Sequence, residues 1–140
     1  MITYVDTSTL LKLIVDEDGS SRAELIWHAA DTLASVNLVL VEARAALAAA
    51  FRQGRLTAAQ HRQAKTNLLV LVGDLHAVAV TDELLETAAD LAEDEALRGY
   101  DAVHLAAALA VRASVITSAD TALCDAAARR GLHVANPLAA

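Results

Sequence analysis

Cysteine, proline, lysine and aromatic residues are all scarce in this chain of 140 residues: one cysteine, one proline, one tryptophan, two tyrosines, one phenylalanine, and only Lys12 and Lys65 as lysines. The lone Cys124 excludes an internal disulfide and offers no partner at metal-ligand spacing, which fits a reducing compartment. It reads as a small core residue rather than a catalytic thiol. Long uncharged runs are missing too. Although 56% of the residues are hydrophobic, no window reaches the roughly 18 to 20 apolar residues that cross a bilayer. The N-terminus has no basic start, apolar plug and small-residue cleavage site, because Ile2-Thr3-Tyr4-Val5 runs straight into a strand-like segment. The expectation is a cytoplasmic protein without membrane contact, folded as a single domain over residues 1–140.

A surplus of positive charge is also lacking. The formal net charge is −7, which excludes a protein that grips nucleic acid through a broad cationic face. A site that holds divalent metal escapes that exclusion, since it must supply carboxylates and bound cations reverse its local sign.

What is present is an alternation of short β-prone runs with longer helical ones. Residues 2–5 form a strand that meets the helix-entry sequence Asp6-Thr7-Ser8. The acidic turn Asp16-Glu17-Asp18-Gly19 precedes a helix capped by Ser20-Ser21 and running to about residue 30. A strand follows at 32–36, then a helix capped by Asn37 and closed by Gly54. Thr57 and Gln60 have the reciprocal spacing of a capping box for a helix to about residue 72, ended by Gly73. A strand at 75–80 leads to Thr81-Asp82-Glu83, a cap with first-turn acids, and a helix to about 97 stopped by Gly99. Asp101 opens an apolar helix to about 112, followed by a strand at 114–117, a helix at 119–130 and an edge strand at 133–135. Strands separated by helices predict a parallel sheet covered on both faces, with its chemistry where strands end and helices begin.

Four acids stand out against that rim. Asp6 follows the first strand directly, and Asp120 comes three residues after the strand ending at Thr117. Glu42 has Leu38, Val39, Ala45 and Ala46 as helical neighbours, so its charge loses hydration unless it is paired or bound to metal. A pairing arginine would have to come from another segment. Asp101 sits at the entrance of a helix that is apolar nearly all round. His104, one turn later, reads as a hydrogen-bonded core residue and stays outside the catalytic set. Ser8 and Ser118 each lie two residues from a rim aspartate and can support a carboxylate or simply cap. Four carboxylates in one pocket need a counter-charge, and oxygen donors suit Mg²⁺ or Mn²⁺. Such ions activate water against phosphorus, which makes phosphodiester hydrolysis the expected chemistry. The acids Asp16, Glu17 and Asp18 read as a solvated loop, and Asp90, Glu93, Asp94 and Glu95 as the wet face of a helix.

Together, Val5-Asp6-Thr7-Ser8, Val41-Glu42-Ala43-Arg44-Ala45-Ala46-Leu47, Tyr100-Asp101-Ala102-Val103-His104-Leu105-Ala106 and Thr117-Ser118-Ala119-Asp120 resemble, in order and spacing, the motifs of PIN-domain ribonucleases, in particular VapC toxins of bacterial toxin–antitoxin pairs. The resemblance implies an α/β fold, a three-layer α/β/α sandwich with a small central parallel sheet. It makes Asp6, Glu42, Asp101 and Asp120 the acidic metal-binding set for Mg²⁺ or Mn²⁺, with Ser8 and Ser118 as polar supports. It further implies a homodimer, an RNA substrate and an antitoxin that blocks the site, for which Leu25, Ile26 and Trp27 offer apolar surface. The chain departs from the family before its glutamate, where Asn37-Leu38-Val39-Leu40 replaces a stretch that often carries Ser or Thr. The RNA itself is left open, its recognition falling to loops and to arginines such as Arg44, Arg52, Arg98 and Arg112.

Two other readings stand beside this one. A haloacid-dehalogenase-like phosphatase also begins from an aspartate after its first strand, but needs a second aspartate where this chain has Ser8. A dimeric, non-catalytic interaction module with structural acids fits the negative charge.

Overall fold

Tyr4 and Val5 are neighbours on one short strand, yet each enters a different core, and this alternation organises the molecule. The computed structural model describes residues 1–139. In chain order it contains β1 (Ile2–Val5), α1 (Thr7–Lys12), α2 (Ser20–Ala29), β2 (Thr32–Val36), α3 (Leu38–Arg52), α4 (Ala58–Gly73), β3 (His76–Val78), α5 (Asp82–Asp94), α6 (Gly99–Ala110), β4 (Val115–Thr117), α7 (Thr121–Arg129) and β5 (His133–Ala135). All strand pairs are parallel and the sheet order is β3-β2-β1-β4-β5. On one face Tyr4, Val36 and Ile116 pack with α5, α6 and α7 through Leu84, Leu91, Leu105 and Leu123. On the other, Val5 packs with Leu10, Val39, Leu47 and Leu68 of α1, α3 and α4. The result is the expected α/β/α sandwich.

The chain steps outward from β1 through β2 to β3 in one direction, then returns across the sheet to β4 and β5 on the other side. The direction of winding therefore reverses between β1 and β4, and it is beside such a switch that parallel sheets open a crevice at their carboxyl ends. The Asp6 amide donates to the Thr117 carbonyl at 3.0 Å, extending the ladder to the lip of this crevice. Helix α6 lies against the sheet with Asp101 through Ala108 buried without interruption. Alanine, the best helix former, lets it pack closely at low side-chain entropy.

Several boundaries move. Gly19, with φ of 89°, occupies the N-cap position of α2, whereas Ser20 instead accepts the Glu17 amide at 2.9 Å and donates to the Val15 carbonyl at 3.2 Å. Asn37 makes no side-chain cap bond. Gly99 does not stop α5 but begins α6, and the left-handed turn falls on Ala96, φ 52°. Glu17 is not simply solvated, because it pairs with the buried Lys12 at 3.1 Å. Glu95 likewise leaves the wet face to accept from Arg129 at 2.6 Å and Arg130 at 2.8 Å, joining α5 to the end of α7. Thr57 and Gln60 do form the reciprocal capping box of α4. Trp27 packs against the second core, while Leu25 beside it is exposed. Among the described residues, no helix is long and apolar enough to cross a membrane.

Candidate active site

Asp6 stands at the N-cap position of α1, yet its side chain makes no cap bond. Both serines flagged beside the rim aspartates turn to it instead: Ser8 Oγ and Ser118 Oγ each donate to Asp6 Oδ2 at 2.7 Å. The serines are fixed in turn by the Ala119 amide, which donates to Ser8 Oγ, and the Asp120 amide, which donates to Ser118 Oγ, both at 3.0 Å. The other Asp6 oxygen lies 3.2 Å from His104 Nε2.

His104 also reaches Glu42, whose Oε1 is 2.6 Å from Nε2 and accepts from Thr7 Oγ1 at 2.9 Å. The partner of Glu42 is thus a histidine from α6, where an arginine from another segment had been the alternative. The hydroxyl that α3 does not carry before its glutamate is supplied by Thr7 of α1. On its far side, His104 Nδ1 is 2.8 Å from the Tyr4 hydroxyl, whose oxygen accepts the Val36 amide. While the ring is neutral, the Tyr4 hydrogen goes to Nδ1, and Nε2 carries the hydrogen offered to the acids. Burial pulls the His104 pKa down, but the Glu42 hydrogen bond and the charges of Asp6, Glu42 and Asp101 outweigh it and leave the value raised. Burial pushes Glu42 up, and the His104 bond and charge with the Thr7 bond more than reverse this, so its pKa is lowered.

The remaining acids meet a different partner. Arg98, just before α6, donates from Nε to Asp101 Oδ2 at 3.1 Å and from Nη2 to Asp120 Oδ2 at 2.9 Å. Asp120 is also a true helix cap, its Oδ1 accepting the Leu123 amide at 2.9 Å. Burial, the Asp120 charge and, more weakly, Asp6 raise the Asp101 pKa against the opposing pull of Arg98. The four acids therefore share one rim, arranged as two pairs. Cys124 is buried nearby with Sγ 3.3 Å from the Ser118 carbonyl. Burial and the Asp6 and Asp120 charges push its thiol up to about 11, which keeps it protonated and inert.

This geometry can be set beside known proteins. A sequence model of the family described as PIN domain matches residues 3–129. The chain belongs to the PIN-domain family. This PIN domain is 41% identical over 110 residues to "Ribonuclease VapC45" of Mycobacterium tuberculosis, covering 79% of this chain and 76% of that one. Its fold is similar to PAE2754 from Pyrobaculum aerophilum, with a TM-score of 0.71 and 22% identity over 96% of this chain and 83% of the other. It is also similar to a toxin–antitoxin complex from Klebsiella pneumoniae, with a TM-score of 0.68 and 18% identity over 96% and 97% of the two chains. Membership sets aside the haloacid-dehalogenase-like reading, and Ser8, where that family needs an aspartate, here serves Asp6.

The donor chemistry of the PIN site suits a hard cation, with four carboxylates, three hydroxyls hydrogen-bonded to them and no thiolate. Its present arrangement is not a closed cage: among the described residues, no three acids, histidines or cysteines are grouped so as to hold an ion. Arg98 supplies counter-charge to Asp101 and Asp120, and His104 offers its Nε2 to Asp6 and Glu42. His104 is the residue that sequence reasoning left out. It is buried and hydrogen-bonded as expected, but its partners are two of the acids themselves. The available signal was its place one helical turn after Asp101, on the same buried helix.

Proposed function

We propose that this chain is an endoribonuclease, dependent on Mg²⁺ or Mn²⁺, acting as the toxin of a toxin–antitoxin pair. The single observation that carries the reading is the state of Asp6: a helix-cap aspartate whose side chain makes no cap bond and is instead pinned by two serines and a histidine at the switch point of the sheet. A carboxylate merely capping a helix has no need of that setting. The names of the VapC relatives and the antitoxin-bound neighbour support the ribonuclease and partner assignments. A homodimer belongs to the same reading.

Asp6, Glu42, Asp101 and Asp120 would hold the metal. The bound ion supplies Lewis acidity for the phosphate and lowers the pKa of a water nucleophile. The chain's own part is orientation. Ser8 and Ser118 hold Asp6 Oδ2, while His104 and Thr7 favour the ionised form of the half-buried Glu42. Without counter-charge the acids would repel the RNA backbone. The test is cleavage of a mixed RNA substrate with added Mn²⁺, compared with the same reaction after thorough chelation. Activity that survives chelation would exclude this mechanism.

A further inference from the structure

Arg98 and His104 each hold two of the four acids, in opposite settings. The His104 side chain is 1% exposed and that of Arg98 is 79% exposed. Arg98 reaches the acids from outside the packed structure; its pair with Asp120 faces solvent, where it is screened and weak, while its pair with Asp101 is partly buried on the carboxylate side. Neither acid depends on it for its backbone position. Asp120 keeps its Oδ1 on the Leu123 amide, and Asp101 is carried by the first turn of a buried helix. Arg98 nevertheless covers one specific oxygen on each, Oδ2 of Asp101 and Oδ2 of Asp120. Those oxygens cannot accept from the guanidinium and ligate a cation along the same lone pairs at once.

We propose that Arg98 is a built-in competitor of the divalent metal: its guanidinium holds Asp101 and Asp120 as a cation surrogate, and metal must displace it to load the site. This rests on the metal-dependent reading above. Arg98 thereby sets the metal concentration at which the site fills, while the Asp6 and Glu42 half stays formed throughout.

The experiment is calorimetric titration of Mn²⁺ into the wild type, Arg98→Ala and Arg98→Lys, joined to nuclear magnetic resonance of arginine Nε–H groups during Mg²⁺ addition. Arg98→Ala is expected to bind Mn²⁺ about three- to tenfold more tightly, given the modest strength of pairs whose arginine is mostly in water. Arg98→Lys should fall between, because one ammonium keeps the charge but not the fork. The Arg98 Nε–H signal, assigned by its loss in Arg98→Ala, should shift on Mg²⁺ addition and saturate with the binding curve. Equal or weaker Mn²⁺ affinity in Arg98→Ala, or an Arg98 signal unmoved while metal binds, overturns the competitor alone. If none of the three proteins binds Mn²⁺ at millimolar concentration, the metal-dependent reading falls with it.

Discussion

The two halves of the acidic rim differ in how their charge is managed. Asp6 and the half-buried Glu42 belong to a network centred on the buried His104, in which the side chains of Tyr4, Thr7, Ser8, His104 and Ser118 make most of the contacts. Asp101 and Asp120 rely on one guanidinium that is mostly in water. Buried charges must be paired on assembly, since unpaired ones cost several kcal/mol, so the first half is part of the fold. In the second half the arginine is mostly in water, so its pairing contributes less to the fold. A site with one fixed half and one exchangeable half can be preorganised and still admit a ligand.

The largest effect that would break this contrast is on activity. Asp6→Asn should lower RNA cleavage by at least about a hundredfold while leaving the fold intact, because the amide keeps the shape but not the charge. Circular dichroism alongside a cleavage assay checks both, and unchanged cleavage removes Asp6 from the site. Next, His104→Ala should cost on the order of 3 kcal/mol in chemical denaturation, since it takes one partner from each of Asp6, Glu42 and the Tyr4 hydroxyl and leaves a gap in the core. Arg98→Ala should leave the denaturation midpoint in place; if the two variants destabilise equally, the division into fixed and exchangeable halves is wrong. Tyr4→Phe sharpens the first half further: it deprives the Val36 amide and His104 Nδ1 of a partner and should cost about 1 to 2 kcal/mol by the same measurement.

The smallest effect is on pH dependence. Glu42 has a folded pKa below its ordinary 4.5, so its contribution is present above that value and is lost as pH falls through the folded pKa. His104 has a folded pKa above 6.5, so its contribution is complete below 6.5 and is lost as pH rises through the folded value. The pair should thus stabilise most between 4.5 and 6.5. Asp101 works the other way: its raised pKa favours the protonated folded form, so it offsets part of the acid-side loss. Denaturation midpoints across pH should show the alkaline decline shrink in His104→Gln. An undiminished decline would assign it to another group.

Much of this architecture was readable one segment at a time. The Thr57 and Gln60 capping box, the Thr81 cap and the strand at 32–36 depend on residues within a few positions of one another, and each is present. Where neighbours from elsewhere intervene, local rules fail. Gly19 takes the α2 cap position because its left-handed turn lies under Pro137, whose carbonyl oxygen would be 2.9 Å from any added Cβ. Ala96 turns left-handed although Gly99 was close by, since the glycine is already the first residue of α6.

The sequence by itself determined the alternation of strands and helices, the two-sided burial and the placing of Asp6, Glu42, Asp101 and Asp120 where strands give way to helices or on a desolvated helix face. Those properties follow from hydrophobic period and capping chemistry, which act over a few residues. Only the tertiary structure decided the strand order, which sets Asp6 against Ser118, 112 positions away, and the choice of His104 for Glu42 across 62 positions. It alone placed Arg98 between Asp101 and Asp120. Such pairings are set by which strands become neighbours, and no local period in the chain carries that information.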